Sequence, residues 1–131
     1  MRHALFLFGF ALLASHEIDA ALAAEWRLLY GLRGLDEPVA ARAFTLAHVP
    51  LFVALLWLLF HPQFAVRIWS RRVFMAFLVV HAGLHARLSG HVDYGFAGWD
   101  SNLLIFGAGV AGLVYLVSDG WLSPPAPSSQ S

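Results

Sequence analysis

The chain has 131 residues, of which 60% are hydrophobic and only 12% carry a formal charge. Soluble domains have about 45–50% apolar and about 25% charged residues, so this composition excludes an ordinary soluble domain and favours a single domain in a membrane. Eight acidic residues balance eight basic ones without any basic face or tail, so we expect no nucleic-acid partner. The absence of Cys excludes disulfides and thiolate metal sites, so a bound metal needs His and carboxylate ligands.

The first apolar segment covers about residues 4–27 and is long enough to cross a hydrocarbon core of about 30 Å as a helix. Its sequence places three polar residues, His16, Glu17 and Asp19, inside an otherwise apolar run. An amino-terminal apolar run also resembles a signal peptide, but signal peptides do not carry such residues between the apolar core and the cleavage site. We therefore expect the segment to remain as a membrane span.

The second span is predicted over residues 38–60, after a turn rich in Gly and Asp. Pro38 suits the first turn of this helix because its missing N–H has no partner there. His48 lies near the middle of the span. Residues 64–72 mix aromatic side chains with three Arg, which predicts a short interfacial helix before the next span.

The third span is predicted over residues 73–88 and the fourth over residues 101–117. The third carries His81 and His85. Residues 121–131 are rich in Pro and Ser and predict a disordered tail. The fold class that follows is an all-α, polytopic membrane four-helix bundle.

Arginine placement gives the expected orientation. Four Arg fall on each side of the predicted bundle, and the close group at Arg67, Arg71 and Arg72 favours the cytoplasmic side for the loop after the second span. An even number of spans then places both termini in the cytoplasm. We expect the bilayer to be the inner membrane of a bacterium.

The histidines of three spans fall at nearly one depth. At about 1.5 Å of rise per residue, His16 and His85 lie about 18 Å, and His48 about 15 Å, from the start of their spans. His81 and His85 are four residues apart and share one helix face. Because neighbouring spans alternate in direction, we expect these four residues to form one buried site.

Imidazole and carboxylate ligands without thiolate suit a transition metal, and we favour Zn or Fe. A bound metal and a general base, Glu17 or Asp19, predict a metal-dependent hydrolase, or an oxidase, of an apolar or lipid-like substrate. Two other interpretations fit the same residues: a polar knot between helices, and a path for protons or solutes.

Haem offers another cofactor, with two of His48, His81 and His85 as axial ligands of an electron carrier. A third hypothesis is a non-enzymatic accessory subunit of a membrane complex. The small residues of Gly107–Gly112 spell GxGxxG inside an apolar span, which predicts helix packing rather than dinucleotide binding. This face is our expected surface for a homo- or hetero-oligomer.

Several short strings carry a family resemblance: HEIDA at residues 16–20, EWRL at 25–28, HVPLF at 48–52 and HAGLH at 81–85. Together they resemble a family of short bacterial four-span membrane proteins of unknown function, DUF6713. The resemblance implies four transmembrane helices and implies no activity. A looser similarity to zinc hydrolases of the ceramidase type, which use an HxxxH helix, supports the class of chemistry alone, since those enzymes have seven spans.

Overall fold

The computed structural model describes residues 1–119, and their regular structure is entirely helical. The elements in chain order are α1 (Arg2–Leu22), the 3₁₀ helix η1 (Glu25–Arg27), α2 (Glu37–Leu59), α3 (Phe64–Leu88) and α4 (Trp99–Ser118). No strand occurs within residues 1–119, which confirms the all-α class. The tail predicted at 121–131 lies outside the described residues.

Helix α1 ends at Leu22, earlier than the span predicted to run to residue 27. Ala24 adopts the left-handed conformation, with φ 56° and ψ 45°, and η1 follows it. A left-handed residue ends an α-helix because it turns the backbone away from the helical direction. The chain beyond Ala24 therefore folds back toward the bundle.

Helix α3 is continuous from Phe64, so the predicted separate interfacial helix at residues 64–72 is its first part. Pro62 precedes the helix, and neither Pro nor Gly interrupts its first 19 residues, 64–82, so nothing ends the helix at residue 72. Two guanidinium groups connect its start to the end of α2: Arg67 donates to the His61 carbonyl at 2.7 Å and Arg71 to the Leu59 carbonyl at 3.0 Å.

Three helices, α1, α2 and α4, are long and apolar enough to cross a membrane. Helix α3 is not among them, because Arg67, Arg71 and Arg72 occupy its first half and Arg87 its last turn. Length and composition thus support three of the four predicted spans. The span at residues 73–88 remains a prediction.

Helix α4 packs between α1 and α3, and small residues allow the close approach. A Cβ added at Gly109 would lie 2.7 Å from the Cβ of Ala82 on α3, and one at Gly107 would lie 3.3 Å from Leu12 on α1. The small-residue face predicted in α4 is therefore used for packing inside the chain, while an oligomer through that face stays a prediction.

Helix α2 is the most peripheral of the four, with only Ala40, Phe44 and Leu59 buried among its 23 residues. Phe44 joins an apolar cluster near the loops, and Leu59 joins another near the chain termini. Between these two contacts most of the α2 side chains stay exposed, and an open apolar groove lies between α2 and the neighbouring helices α1 and α3.

Candidate metal centre

Three of the predicted site histidines converge inside the bundle. His16 comes from α1, and His81 and His85 come from successive turns of α3. One ring nitrogen from each lies within 4.8 Å of the others. The ring centroids are 4.6–5.0 Å apart in edge-to-face contacts. We refer to these three residues as the His triad.

Burial leaves several nitrogens of the triad without partners. His16 is 1% exposed, and within the described residues neither of its ring nitrogens makes a hydrogen bond. Nε2 of His81 is likewise buried and unpaired there. An unsatisfied buried polar atom costs about 1–3 kcal/mol, so such atoms need an explanation.

A transition metal ion fits these unpaired nitrogens. Zinc binds imidazole nitrogen at about 2.0–2.1 Å, which places tetrahedral ligand atoms about 3.4 Å apart. Nitrogens that are at most 4.8 Å apart reach that spacing with small side-chain shifts. The donor set, three neutral imidazoles in a buried position, is one that zinc and iron both accept.

A carboxylate that the sequence reasoning did not place in the site, Glu25, lies beside the triad. The left-handed turn at Ala24 brings its oxygens to 3.8 Å from Nε2 of His16 and Nε2 of His85. Glu25 lies beyond the end of α1, and burial together with the nearby Glu17 carboxylate raises its pKa to about 7. The sequence feature that could have indicated Glu25 is an acidic residue at the end of the first apolar segment.

The loop between α3 and α4 covers the triad with two aromatic residues that the sequence reasoning also missed. The Tyr94 hydroxyl lies 3.3 Å from Nδ1 of His85. Phe96 is fully buried, and its ring centroid lies 5.3 Å from that of His16 and 4.9 Å from that of His85. These two rings cover the loop side of the triad. The sequence feature that could have indicated this covering loop is its content of Gly and aromatic residues.

The fourth histidine, His48, contacts Glu17 instead of the triad. Its Nε2 lies 2.8 Å from Oε2 of Glu17, and its Nδ1 lies 2.7 Å from the Phe44 carbonyl oxygen. A carbonyl only accepts, so Nδ1 carries a proton and donates it. The contact at Nε2 then holds one further proton, shared between the imidazole and the carboxyl group.

Asp19, predicted with Glu17 as a catalytic base, is part of the same end of α1. Its Oδ2 is buried, and none of the described residues donates a hydrogen bond to it. It lies three residues after His16, so both project from one side of the helix. The catalytic roles of Asp19 and Glu17 stay predictions.

The protein is all-α, and three of its helices are long and apolar enough to cross a membrane. The His triad inside this bundle could hold a metal ion. The chain belongs to DUF6713, a family of unknown function, whose family model matches residues 2–119. The match covers all four helices and every residue of the candidate site, and it confirms the resemblance found in the sequence. Neither the curated proteins nor the solved structures contain a match to this chain.

Proposed function

We propose that this protein is an integral membrane protein that binds one divalent transition metal ion, Zn or Fe, through His16, His81 and His85. The observation that carries the proposal is the convergence of three imidazoles inside the bundle, in which both ring nitrogens of His16 and Nε2 of His81 are buried without hydrogen-bond partners among residues 1–119. In a polar knot without metal, these nitrogens would bond to one another or to the backbone. Their lack of partners favours a bound ion.

We further propose that all four helices cross the bilayer. Arg67, Arg71 and Arg72 lie at the start of α3, where long side chains can reach the headgroups while residues 73–88 cross the core. The same group of Arg supports a cytoplasmic location for both termini, in the inner membrane of a bacterium.

The reaction class that best suits this centre is metal-dependent hydrolysis of an apolar or lipid-like substrate, ahead of oxidation. A metal ion held by three imidazoles polarises a substrate carbonyl and acidifies a water molecule. A general base must then lie close by, and the oxygens of Glu25 lie 3.8 Å from two nitrogens of the triad. Glu17 and Asp19 remain the alternative bases.

The geometry argues against the haem alternative. A porphyrin needs its axial ligands on opposite faces, whereas His81 and His85 project from one face of α3 with ring centroids 4.6 Å apart. The His16 ring touches both of them at 4.9–5.0 Å, which leaves no gap for a macrocycle. His48 is held by Glu17 and Phe44.

Metal content of the detergent-purified protein tests the proposal. We expect about one equivalent of Zn or Fe per chain by mass spectrometry, and less than about a tenth of an equivalent in His16→Ala, His81→Ala and His85→Ala. His91→Ala is the matched control, because this exposed loop histidine should leave the metal content unchanged.

Metal-free wild-type protein after purification without chelators would contradict the proposal, as would a His85→Ala variant that retains its metal. Circular dichroism and gel filtration of each variant establish that the helices are intact. One absorption scan detects haem by its Soret band and thereby separates the two cofactors.

A further inference from the structure

The groove beside α2 has a volume of about 460 Å³, within the range of about 300–1,000 Å³ typical of small-molecule sites. It lies between α1, α2 and α3, and apart from Glu17 and Ser70 its walls are apolar or aromatic. The walls include Leu51 and Leu55 on α2 and Trp69, Val73 and Phe77 on α3.

The groove opens sideways. Leu51, Trp69 and Val73 line it and remain 55%, 54% and 60% exposed, and they belong to the two helices that form its rim. The opening therefore lies between α2 and α3. In the membrane placement proposed above, that opening faces the acyl chains, so a lipid-soluble molecule enters without crossing water.

The ionisable residue in the wall of the groove is Glu17, whose carboxyl group shares a proton with His48. With Nδ1 of His48 bonded to a carbonyl, the pair is neutral in total, whether the shared proton lies on the carboxyl or on the imidazole. None of the described residues donates a hydrogen bond to Oε1 of Glu17, the second oxygen. Glu17 lines the groove, so this oxygen is a free acceptor on a residue of an otherwise largely apolar wall.

We propose that this groove binds a single-chain amphiphile with a neutral hydroxyl headgroup. The alkyl chain lies along Leu55 and Phe77, and the hydroxyl donates a hydrogen bond to Oε1 of Glu17. A carboxylate headgroup would meet another carboxyl group there, and a cationic headgroup would leave an uncompensated charge among apolar walls. A plain alkane would leave Oε1 without a partner.

The groove reaches the metal centre through one side chain. Phe77 lines the groove, and its ring centroid lies 5.3 Å from that of His81. The part of the alkyl chain that lies along Phe77 would therefore be one side chain away from the triad. The inference rests on the membrane placement proposed above, but binding in the groove does not require the metal, so it fails or succeeds independently of the metal centre.

Photolabelling in lipid nanodiscs tests this proposal, with a 1-hexadecanol analogue that carries a diazirine in its chain. We expect label on the peptides that contain Leu51, Leu55 and Phe77, and competition by unlabelled 1-hexadecanol. Hexadecane should compete about three- to tenfold less well, because it lacks the hydrogen bond. Equal competition by hexadecane, or equal labelling of the outer face of α2, would overturn the proposal.

Matched variants locate the site. Leu55→Trp fills the groove and should reduce labelling at least fivefold, whereas Val53→Trp, on the exposed side of α2, should not. Glu17→Leu should abolish the preference for hexadecanol over hexadecane, and Glu17→Gln, which keeps an acceptor oxygen, should retain it. The comparison of Glu17→Leu with Glu17→Gln tests the headgroup hydrogen bond even where Leu55→Trp fails to fold.

His85→Ala separates the two proposals. Unchanged labelling in this variant supports a groove that binds its ligand without the metal, whereas loss of labelling in a folded His85→Ala protein would show that binding in the groove depends on the metal centre.

Discussion

At the scale of single residues, Ala24 is the unusual one. The left-handed conformation costs a residue with a Cβ about 1–2 kcal/mol, and Ala24 adopts it with φ 56°. Such strain persists where the surrounding structure over-determines it, often at functional sites. Here the turn carries Glu25 to the triad, and the Gly95 loop packs so tightly against Ala23 that a Cβ on Gly95 would lie 2.8 Å from the Ala23 carbonyl oxygen.

The position of Glu25 leads to a prediction about metal affinity. Its oxygens lie 3.8 Å from two triad nitrogens, so the carboxylate either binds the ion or orients its ligands. We expect Glu25→Gln to lower the metal affinity about 10–100-fold, measured by competition with a chelator. Asp93→Asn, an exposed loop acid, serves as control, and equal affinities in both variants would exclude Glu25 from the site.

At the scale of the elements, the contact between α3 and α4 depends on glycine. A Cβ at Gly109 would stand 2.7 Å from the Cβ of Ala82, and both residues lie on helix backbone that moves little. Overpacking of this kind costs about 1–3 kcal/mol. Ala82 lies between His81 and His85 in the sequence of α3. The packing of α4 against Ala82 therefore also helps to hold these two triad residues in place.

We therefore expect Gly109→Ala to destabilise the protein by about 1–3 kcal/mol in detergent unfolding experiments. Gly83→Ala is the matched control on α3, because a Cβ there meets nothing within 4 Å. Alanine favours helix over glycine, so Gly83→Ala should be neutral or stabilising by up to about 1 kcal/mol. Equal losses in the two variants would show that close packing at Gly109 is not the cause.

At the scale of the whole molecule, one carboxylate joins the two ends of the chain. Asp119 follows α4, and its side chain is 8% exposed. It accepts hydrogen bonds from Arg2 at the start of α1, at 2.6 Å, and from Arg72 in α3, at 2.5 Å. The Asp119 side chain thus connects three helices at the end of the bundle opposite the metal centre.

Replacement of this carboxylate should affect stability in a pH-dependent way. Burial alone would raise the pKa of Asp119, but the hydrogen bonds from Arg72 and Arg2 outweigh it and hold the pKa below its ordinary value of 3.8. Because the pKa is lowered in the folded protein, the stabilising contribution of ionised Asp119 is complete above the ordinary value of 3.8. It is lost as the pH falls from there through the lowered pKa of the folded state. We expect Asp119→Asn to lose about 1–3 kcal/mol at pH 7.

Unfolding of wild type and Asp119→Asn measured from pH 7 to pH 3 tests this linkage. The difference between the two proteins should stay constant down to about pH 5 and shrink below about pH 4. Asp36→Asn is the control, since the Asp36 side chain makes no capping hydrogen bond at α2. A difference that persists unchanged at pH 3 would show that charge on Asp119 is not what stabilises the bundle.

The sequence by itself determined the helical class, three membrane-length helices and the pairing of His81 with His85. These follow from hydropathy and from the helical repeat of about 3.6 residues, which puts residues four apart on one face; both are local properties. The convergence of His16 with that pair also followed from the depth of each histidine in its span, since antiparallel packing converts depth into proximity. The family assignment was available from short strings of sequence as well.

Only the tertiary structure decided which polar groups meet. His48 contacts Glu17 and not the triad because α2 packs at the periphery of the bundle, a matter of packing that no helical periodicity contains. Glu25 reaches the triad through a single left-handed residue, and Phe96 reaches it through an irregular loop. Turns and loops place side chains through backbone angles and long-range contacts, so their partners become visible only in the folded chain.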